Sequence, residues 1–150
     1  YRLSPEELDM GLARLRLGAL LLYSFPGSPT GFYGDEAGMQ GFEDPLNRGT
    51  YPWGQEDSSL LAYFRQLGTL RKQRVSLQCG DIGYLYAVGG GRQSEDEVTV
   101  AAMNAGVQPL ELSIPWLGAL AKDALTGQQF FTRNGMLRLT LPPVGGLLLV

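Results

Sequence analysis

Residues 25–36 read FPGSPTGFYGDE, and this stretch decides how the chain is organised. Pro26 and Gly27 end a helix, because proline lacks the amide hydrogen that a continuing helix needs. The next segment, 30–33, has the length and aromatic content of a single strand, and Gly34 closes it. The stretch therefore predicts a helix that ends, a strand, and a loop that leaves the strand.

A helix is predicted on each side of this strand. Ser4 and Glu7 form a capping box at the start of the first helix, and apolar residues then recur every three or four positions. The second helix begins with Asp57 or Ser58 as its cap. Its basic end, residues 71–74, lies where the dipole of a helix favours cations.

From about residue 77 the pattern changes to short alternating segments separated by turn residues. Asn134 and Gly135 form the strongest hairpin signal in the chain. Strands are predicted at 82–88, 97–103, 110–114, 128–132, 136–141 and 147–150. The sequence thus predicts an α+β chain with a helix–strand–helix segment over 1–76 and an antiparallel β-sandwich over 77–150.

A single helix–strand–helix unit cannot form a domain, and it is typical of the last piece of a (β/α)₈ barrel, which needs about 250 residues. In such barrels the loops that follow the strands build the active site. Residues 34–57 form a loop of this kind, and it is too long for a passive connection. It contains Phe42, Tyr51 and Trp53, an apolar content that indicates an ordered binding loop.

The stretch 25–36 resembles the eighth-strand signature G-x-P-x-x-Y-Y-G-D-E of the α-amylase superfamily, glycoside hydrolase family 13. Residues 41–48, GFEDPLNR, followed by Trp53, resemble that family's G-G-N-D-P-x-x-R loop, in the style of neopullulanases, cyclomaltodextrinases and α-glucosidases. The runs at 123–127 and 139–145 are similar to its C-terminal β-sandwich. The resemblance implies the C-terminal part of a retaining hydrolase of α-1,4- or α-1,6-glucan oligosaccharides.

The resemblance also implies roles for four charged residues. Asp44 and Arg48 match the family's pair that binds a glucose unit on the non-reducing side of the cleavage point, and a carboxylate and a guanidinium suit sugar hydroxyls. Asp35 and Glu36 match the end of the eighth strand, where the family uses them mainly to hold the loop. Glu43 departs from the family's asparagine and leaves the exact sugar contacts open.

Other interpretations of these residues stay open. Without the resemblance, Asp44 and Arg48 would be more typical of a weak surface ion pair, because exposed pairs are common. Tyr33, Phe42 and Trp53 could stack on sugars or simply pack, since buried aromatic rings are common.

No catalytic residue is predicted in this chain. A retaining glycosidase needs two carboxylates about 5–5.5 Å apart across the scissile bond. In the family these carboxylates lie on earlier strands, which would precede Tyr1. The pairs Asp35–Glu36 and Glu43–Asp44 are adjacent, and neighbours on an extended chain point to opposite sides. The chain is therefore expected to be inactive alone.

Composition excludes several kinds of partner. The net charge is −3 and the 12 lysines and arginines are scattered, so a nucleic-acid partner is not expected. The longest apolar run, 17–25, is about half the ~20 residues that span a bilayer, so no membrane segment is expected. Histidine is absent, which removes the commonest metal ligand, and no cofactor is predicted.

Two alternatives from other classes remain. The chain could be a free-standing carbohydrate-binding module, for which Tyr84, Tyr86 and Trp116 are the candidate sugar-stacking residues. It could also be a structural piece that self-associates through 1–76, because a strand at 30–33 would lack both barrel neighbours and leave apolar faces exposed.

Overall fold

The computed structural model describes residues 3–86, 89–94 and 97–150. A 3₁₀ turn at Leu46–Arg48 lies in the long loop between the first two helices. The helices are α1 (Pro5–Ser24), α2 (Ser58–Gln73) and α3 (Val75–Cys79), and the strands are β1 (Asp81–Tyr86), β2 (Gly89–Ser94), β3 (Glu97–Asn104), β4 (Leu110–Pro115), β5 (Leu120–Lys122), β6 (Gln129–Phe131), β7 (Met136–Leu141) and β8 (Gly145–Leu149). Within these ranges, none of the helices combines the length and apolar character needed to cross a bilayer.

Both predicted helix starts are confirmed. The Ser4 hydroxyl accepts from the Glu7 amide at 3.2 Å, and the Glu7 carboxylate accepts from the Ser4 amide at 2.8 Å. Asp57 caps α2 by accepting from the amides of Ser59 and Leu60, each at 2.9 Å. Short-range side-chain chemistry therefore sets where each helix begins.

The prediction of a strand at 30–33 is wrong for the described structure. Residues 30–32 have irregular backbone, and 33–38 form consecutive turns. The amide of Asp35 donates to the carbonyl of Phe32 at 3.2 Å, so the backbone is satisfied within the turn. A strand exists only where a neighbour completes its hydrogen bonds, and no described strand lies beside this segment.

The β-rich part contains antiparallel pairs throughout its described residues. One sheet has the order β1-β2-β3-β8, and β4 pairs with β7 and β5 with β6. The turn predicted at Asn134 and Gly135 is confirmed, since both residues have positive φ, 52° and 71°, as a type I′ turn requires. The hairpin expected from it is wrong, because β6 pairs with β5 and β7 with β4, and the turn itself closes on an isolated bridge between Arg133 and Met136. The predicted strand at 82–88 ends on residues 87 and 88, which lie outside the described part of the chain.

The four-stranded sheet is the middle of three layers. Val100, Ala102 and Leu149 point from its strands towards β4 and β7, and Ala101 and Leu148 point the other way, towards the helices. Successive residues of β3 and β8 therefore fill two different cores, as the period-two geometry of a strand dictates. The α+β fold class with an antiparallel β-module is confirmed. The predicted boundary at 76/77 falls inside α3 and stays a prediction.

Two arginines near the end of α2 connect the layers. Arg71 donates to the carbonyls of Tyr23 at 2.6 Å and Phe25 at 3.2 Å, at the C-terminal end of α1. Arg74 lies 3.3 Å from the Glu97 carboxylate and donates to the Thr99 hydroxyl at 3.1 Å. The sequence had placed these cations by the dipole of their own helix, but their described partners lie on other elements.

Candidate functional site

The loop of residues 34–57 begins with a tight set of turns. Gly34 has φ +92°, and a Cβ at this position would collide with the sulfur of Met39, so only glycine fits. Ala37 is buried, and its carbonyl accepts from the amide of Asp57 at 3.0 Å. The start of the loop is thereby anchored at the residue that caps α2.

Asp35 and Glu36 make their described contacts with the loop and its approach. The amide of Phe32 donates to Asp35 at 3.3 Å, and that of Gly34 donates to Glu36 at 3.1 Å. The Glu36 carboxylate also lies close to the hydroxyl of Tyr51. The pKa of Tyr51 is raised, first by burial and then by the charge and hydrogen bond of Glu36. These bonds tie the two ends of the loop together.

Asp44 and Arg48 form an exposed ion pair at the middle of the loop. Arg48 Nε lies 2.6 Å from Asp44 Oδ1, with side-chain exposures of 74% and 60%. The 3₁₀ turn brings them together, and the amide of Arg48 donates to the carbonyl of Pro45 at 3.0 Å. A pair as exposed as this contributes about 0–1 kcal/mol to stability, so its charged atoms are available to a ligand at little cost to the fold.

The backbone next to this pair is held from the opposite end of the loop. The hydroxyl of Tyr33 donates to the carbonyl of Gly49 at 2.9 Å. Among the described residues, Asn47 Oδ1 is buried without a hydrogen-bond partner. No signal in the sequence pointed to Asn47, because its burial comes from how the loop folds back on itself.

A groove of about 1070 Å³ lies beside the loop, between the helices and residues 29–36. Phe32, Tyr33 and Phe64 supply aromatic surface to it, and Glu36 also lines it. Asp44 and Arg48 are not among its described lining residues. The four predicted site residues therefore fall into two groups, with Asp35 and Glu36 at the base of the loop and Asp44 and Arg48 on its outer turn.

The described residues show no metal site. Within 3–86, 89–94 and 97–150, no three His, Cys, Asp or Glu side chains are grouped so that they could hold a metal ion.

No protein-family model matches the chain. Individual curated proteins and solved structures are nevertheless similar to it. An amylopullulanase of Thermoanaerobacter thermohydrosulfuricus is 32% identical over 98% of this chain, and a cyclomaltodextrinase of Geobacillus thermopakistaniensis is 32% identical over 90% of it. The solved structure of an α-amylase from Geobacillus thermoleovorans, complexed with acarbose, superimposes on 92% of the chain with a TM-score of 0.82 and 25% identity.

The chain belongs to the α-amylase superfamily. The resemblance inferred from the loop motifs is thereby confirmed. The chain spans 11% of the amylopullulanase, 25% of the cyclomaltodextrinase and 33% of the α-amylase chain. This member of the superfamily therefore matches only a part of each relative.

Proposed function

We propose that this chain supplies part of the glucan-binding wall of an α-amylase-type hydrolase, with Asp44 and Arg48 as its sugar-contacting residues. The observation that carries the proposal is the exposed pair with a 2.6 Å contact on an otherwise tethered loop. A carboxylate accepts from sugar hydroxyls and a guanidinium donates to hydroxyl and ring oxygens. Asp35 and Glu36 position that pair by holding the base of the loop.

The proposal includes the identity of the substrate and the organisation of the parent enzyme. The relatives are named for pullulan, amylose-type and cyclic maltodextrin substrates, and one related structure holds acarbose. The substrate class is accordingly α-1,4- or α-1,6-linked glucan oligosaccharides. Residues 1–76 would be the last part of a catalytic barrel and 77–150 its β-sandwich domain. The reaction itself would use carboxylates outside this chain.

The chain alone is expected to bind glucan weakly and to release no reducing ends from maltotriose. Asp35 and Glu36 are assigned to holding the loop, since each accepts a hydrogen bond from a backbone amide at the base of the loop. A preparation free of contaminating amylase that hydrolyses maltotriose would contradict this part of the proposal.

Binding is tested by titrating the ¹⁵N-labelled chain with maltotetraose and following its amide signals. The amides around Asp44 and Arg48 are expected to shift, and Asp44→Asn and Arg48→Gln should each weaken that response. Arg138→Gln is the matched control, since Arg138 is an exposed arginine on β7, outside the loop. Equal responses in all three variants would count against the assigned pair.

The free-standing binding module has less support. The indole of Trp116 packs against the β-core and donates to the carbonyl of Leu120 at 3.1 Å, so its edge is already occupied. The side chains of Tyr84 and Tyr86 lie outside the described part of the chain.

Self-association through 1–76 is a separate proposal. Leu21, Phe25 and Phe32 are 48%, 45% and 59% exposed, which leaves apolar surface on that part of the chain. Light scattering at tens of micromolar chain tests it, and a monomeric mass would contradict it.

A further inference from the structure

Trp53 is a large aromatic side chain that remains 81% exposed. Its ring centroid lies 4.6 Å from that of Tyr51, with 51° between the ring planes. Leaving an indole in water forgoes the free-energy gain that burial gives a large apolar side chain. The two rings together present apolar aromatic surface in the middle of a polar loop.

The backbone presents Trp53 in a defined way. Its amide donates to the carbonyl of Tyr51 at 3.0 Å, which closes a three-residue turn around Pro52. Proline fixes φ near −65°, close to the roughly −75° of an inverse γ-turn. A second turn follows, because the amide of Gln55 donates to the carbonyl of Pro52 at 2.9 Å. The backbone of Trp53 therefore belongs to two hydrogen-bonded turns, which hold the residue that carries the exposed ring.

Tyr51 supports the indole from a fixed position. Its hydroxyl lies close to the Glu36 carboxylate, so that burial first and then this charge raise the pKa of Tyr51, and Glu36 is bonded in turn to the amide of Gly34. The phenol ring thus lies beside the base of the loop at its hydroxyl end and packs against the indole with the two ring planes tilted. Holding one ring in place lowers the conformational entropy that a ligand would have to remove on binding.

The same loop carries the proposed sugar-binding pair. Arg48 precedes Tyr51 by three residues, so their Cα atoms lie no more than about 11 Å apart. A glucose ring exposes C–H groups on its faces and hydroxyls at its edge. Aromatic surface suits the first and an exposed carboxylate–guanidinium pair suits the second, the combination typical of ligand sites.

We propose that Tyr51 and Trp53, the aromatic platform, stack one glucose ring of an α-glucan whose neighbouring units reach Asp44 and Arg48. The inference rests on the proposed function for its ligand class. It assigns to Trp53 a binding role that the polar pair does not provide.

The experiment uses the two tryptophans of the chain, which give two indole N–H signals in a ¹⁵N spectrum. Trp116 is the internal reference, since its indole is bonded within the β-module. On titration with maltotetraose, the Trp53 indole signal is expected to move and saturate while that of Trp116 stays. Trp53→Ala should weaken binding about tenfold, which corresponds to about 1.4 kcal/mol of stacking.

Two further variants make the result specific. Trp53→Phe keeps an aromatic face and should retain most of the affinity. Phe131→Ala removes another exposed aromatic ring, 72% exposed on β6, and should leave affinity unchanged. Because Trp53 is largely exposed, its alanine variant should fold as the original chain does, which circular dichroism checks.

The outcomes separate this inference from the function it rests on. If the amides near Asp44 and Arg48 respond and the Trp53 indole does not, the platform is wrong and the proposed function stands. If the indole moves in Arg48→Gln as in the original chain, the platform stands and the polar pair is wrong. If the indole signals of Trp53 and Trp116 move together, the response is not specific to the platform and the platform is overturned. If no amide signal and no indole signal responds, the platform and the proposed function are both overturned.

Discussion

Two aspartates in different regions of the chain use their carboxylates in opposite ways. Asp123, in the turn at 123–127, is fully buried and accepts from the amides of Thr126 at 3.1 Å and Leu148 at 3.0 Å. Asp44, in the loop at 34–57, has a side chain 60% exposed and paired with Arg48. One carboxylate joins a turn to β8, and the other faces water.

The difference lies in which donors surround each carboxylate. Asp123 satisfies backbone amides, which cannot move away and would be costly to leave unpaired in a buried site. Asp44 is paired with a flexible arginine, which can turn towards a ligand without disturbing the fold. Both residues belong to short motifs of similar prominence in the sequence, so burial and donor type separate their roles. Substituting one carboxylate or one partner at a time tests this contrast.

The largest effect is expected at the buried turn. Asp123→Ala removes the acceptor for buried amides and for the Thr126 hydroxyl. The free energy of unfolding should fall by about 3–5 kcal/mol, measured by urea denaturation. If this variant does not fold, Thr126→Ala should show a loss of about 1–2 kcal/mol from the same turn.

The matched change in the loop is Asp44→Ala. It should alter the free energy of unfolding by less than about 1 kcal/mol, because the pair it breaks is exposed. Similar losses in the free energy of unfolding for Asp123→Ala and Asp44→Ala would contradict the view that burial separates the roles of the two aspartates.

A second effect is expected at Glu97, which accepts from the Ser76 amide at 2.9 Å and lies 3.3 Å from Arg74. Burial raises the pKa of Glu97, but the Ser76 hydrogen bonds and the Arg74 charge outweigh it and leave the pKa lowered. Glu97→Gln should cost about 2 kcal/mol at neutral pH.

The pH dependence of that loss checks its cause. Because the folded pKa of Glu97 is lowered from 4.5, the folded state binds fewer protons than the unfolded state around that pH. The stabilisation is present above pH 4.5 and is lost as the pH falls through the folded pKa. Urea denaturation should therefore show a smaller difference between Glu97→Gln and the original chain in acid. An equal difference at both pH values would contradict the charge-based account.

A smaller effect is expected at Asp57, where the loop meets α2. Asp57→Ala should lower the free energy of unfolding by about 1 kcal/mol, the usual cost of losing a helix cap. The hydrogen bonds from the Leu60 amide and the Ser59 hydroxyl lower the pKa of Asp57 below 3.8 and outweigh the opposing effect of burial, and the Ser59 amide adds a smaller lowering. Its contribution should therefore fade in strong acid. Ser58→Ala is the control, and a loss as large as that of Asp57→Ala would mean that capping is not the cause.

The smallest effect is expected for Arg48→Gln. The free energy of unfolding should change by no more than about 0.5 kcal/mol in urea, since surface substitutions away from buried features rarely do more. A loss above about 1 kcal/mol would show that the pair supports the fold and would weaken its assignment to ligand binding.

The sequence predicted features whose causes are local. The caps at Ser4 and Asp57 and the turn at Asn134 depend on neighbours within three or four residues, and the structure confirms each. The loop at 34–57 was recognised from its length, its aromatic content and the D-P-x-x-R spacing around Asp44.

Features that depend on distant partners were missed or wrong. The strand β2 begins with three glycines and falls between the predicted strands at 82–88 and 97–103, so no strand was predicted there, yet β1 and β3 supply its hydrogen bonds. The opposite error occurred at 30–33, where strand-forming residues have no described strand beside them. From the sequence, Trp53 could either pack or bind a sugar. Its exposure depends on how the whole loop folds, which the residues next to it do not reveal.

The alternating faces of β3 and β8 also bear on how this chain could be shortened. An expression clone cut at residue 77 would keep every β-strand, but it would leave Ala101 and Leu148 facing solvent where α1 and α2 now lie. Such a product would be prone to aggregate. A soluble β-sandwich would need polar residues on the face of the sheet that now packs against the helices. The predicted boundary at 76/77 therefore does not mark a point at which the chain can be cut into two soluble parts.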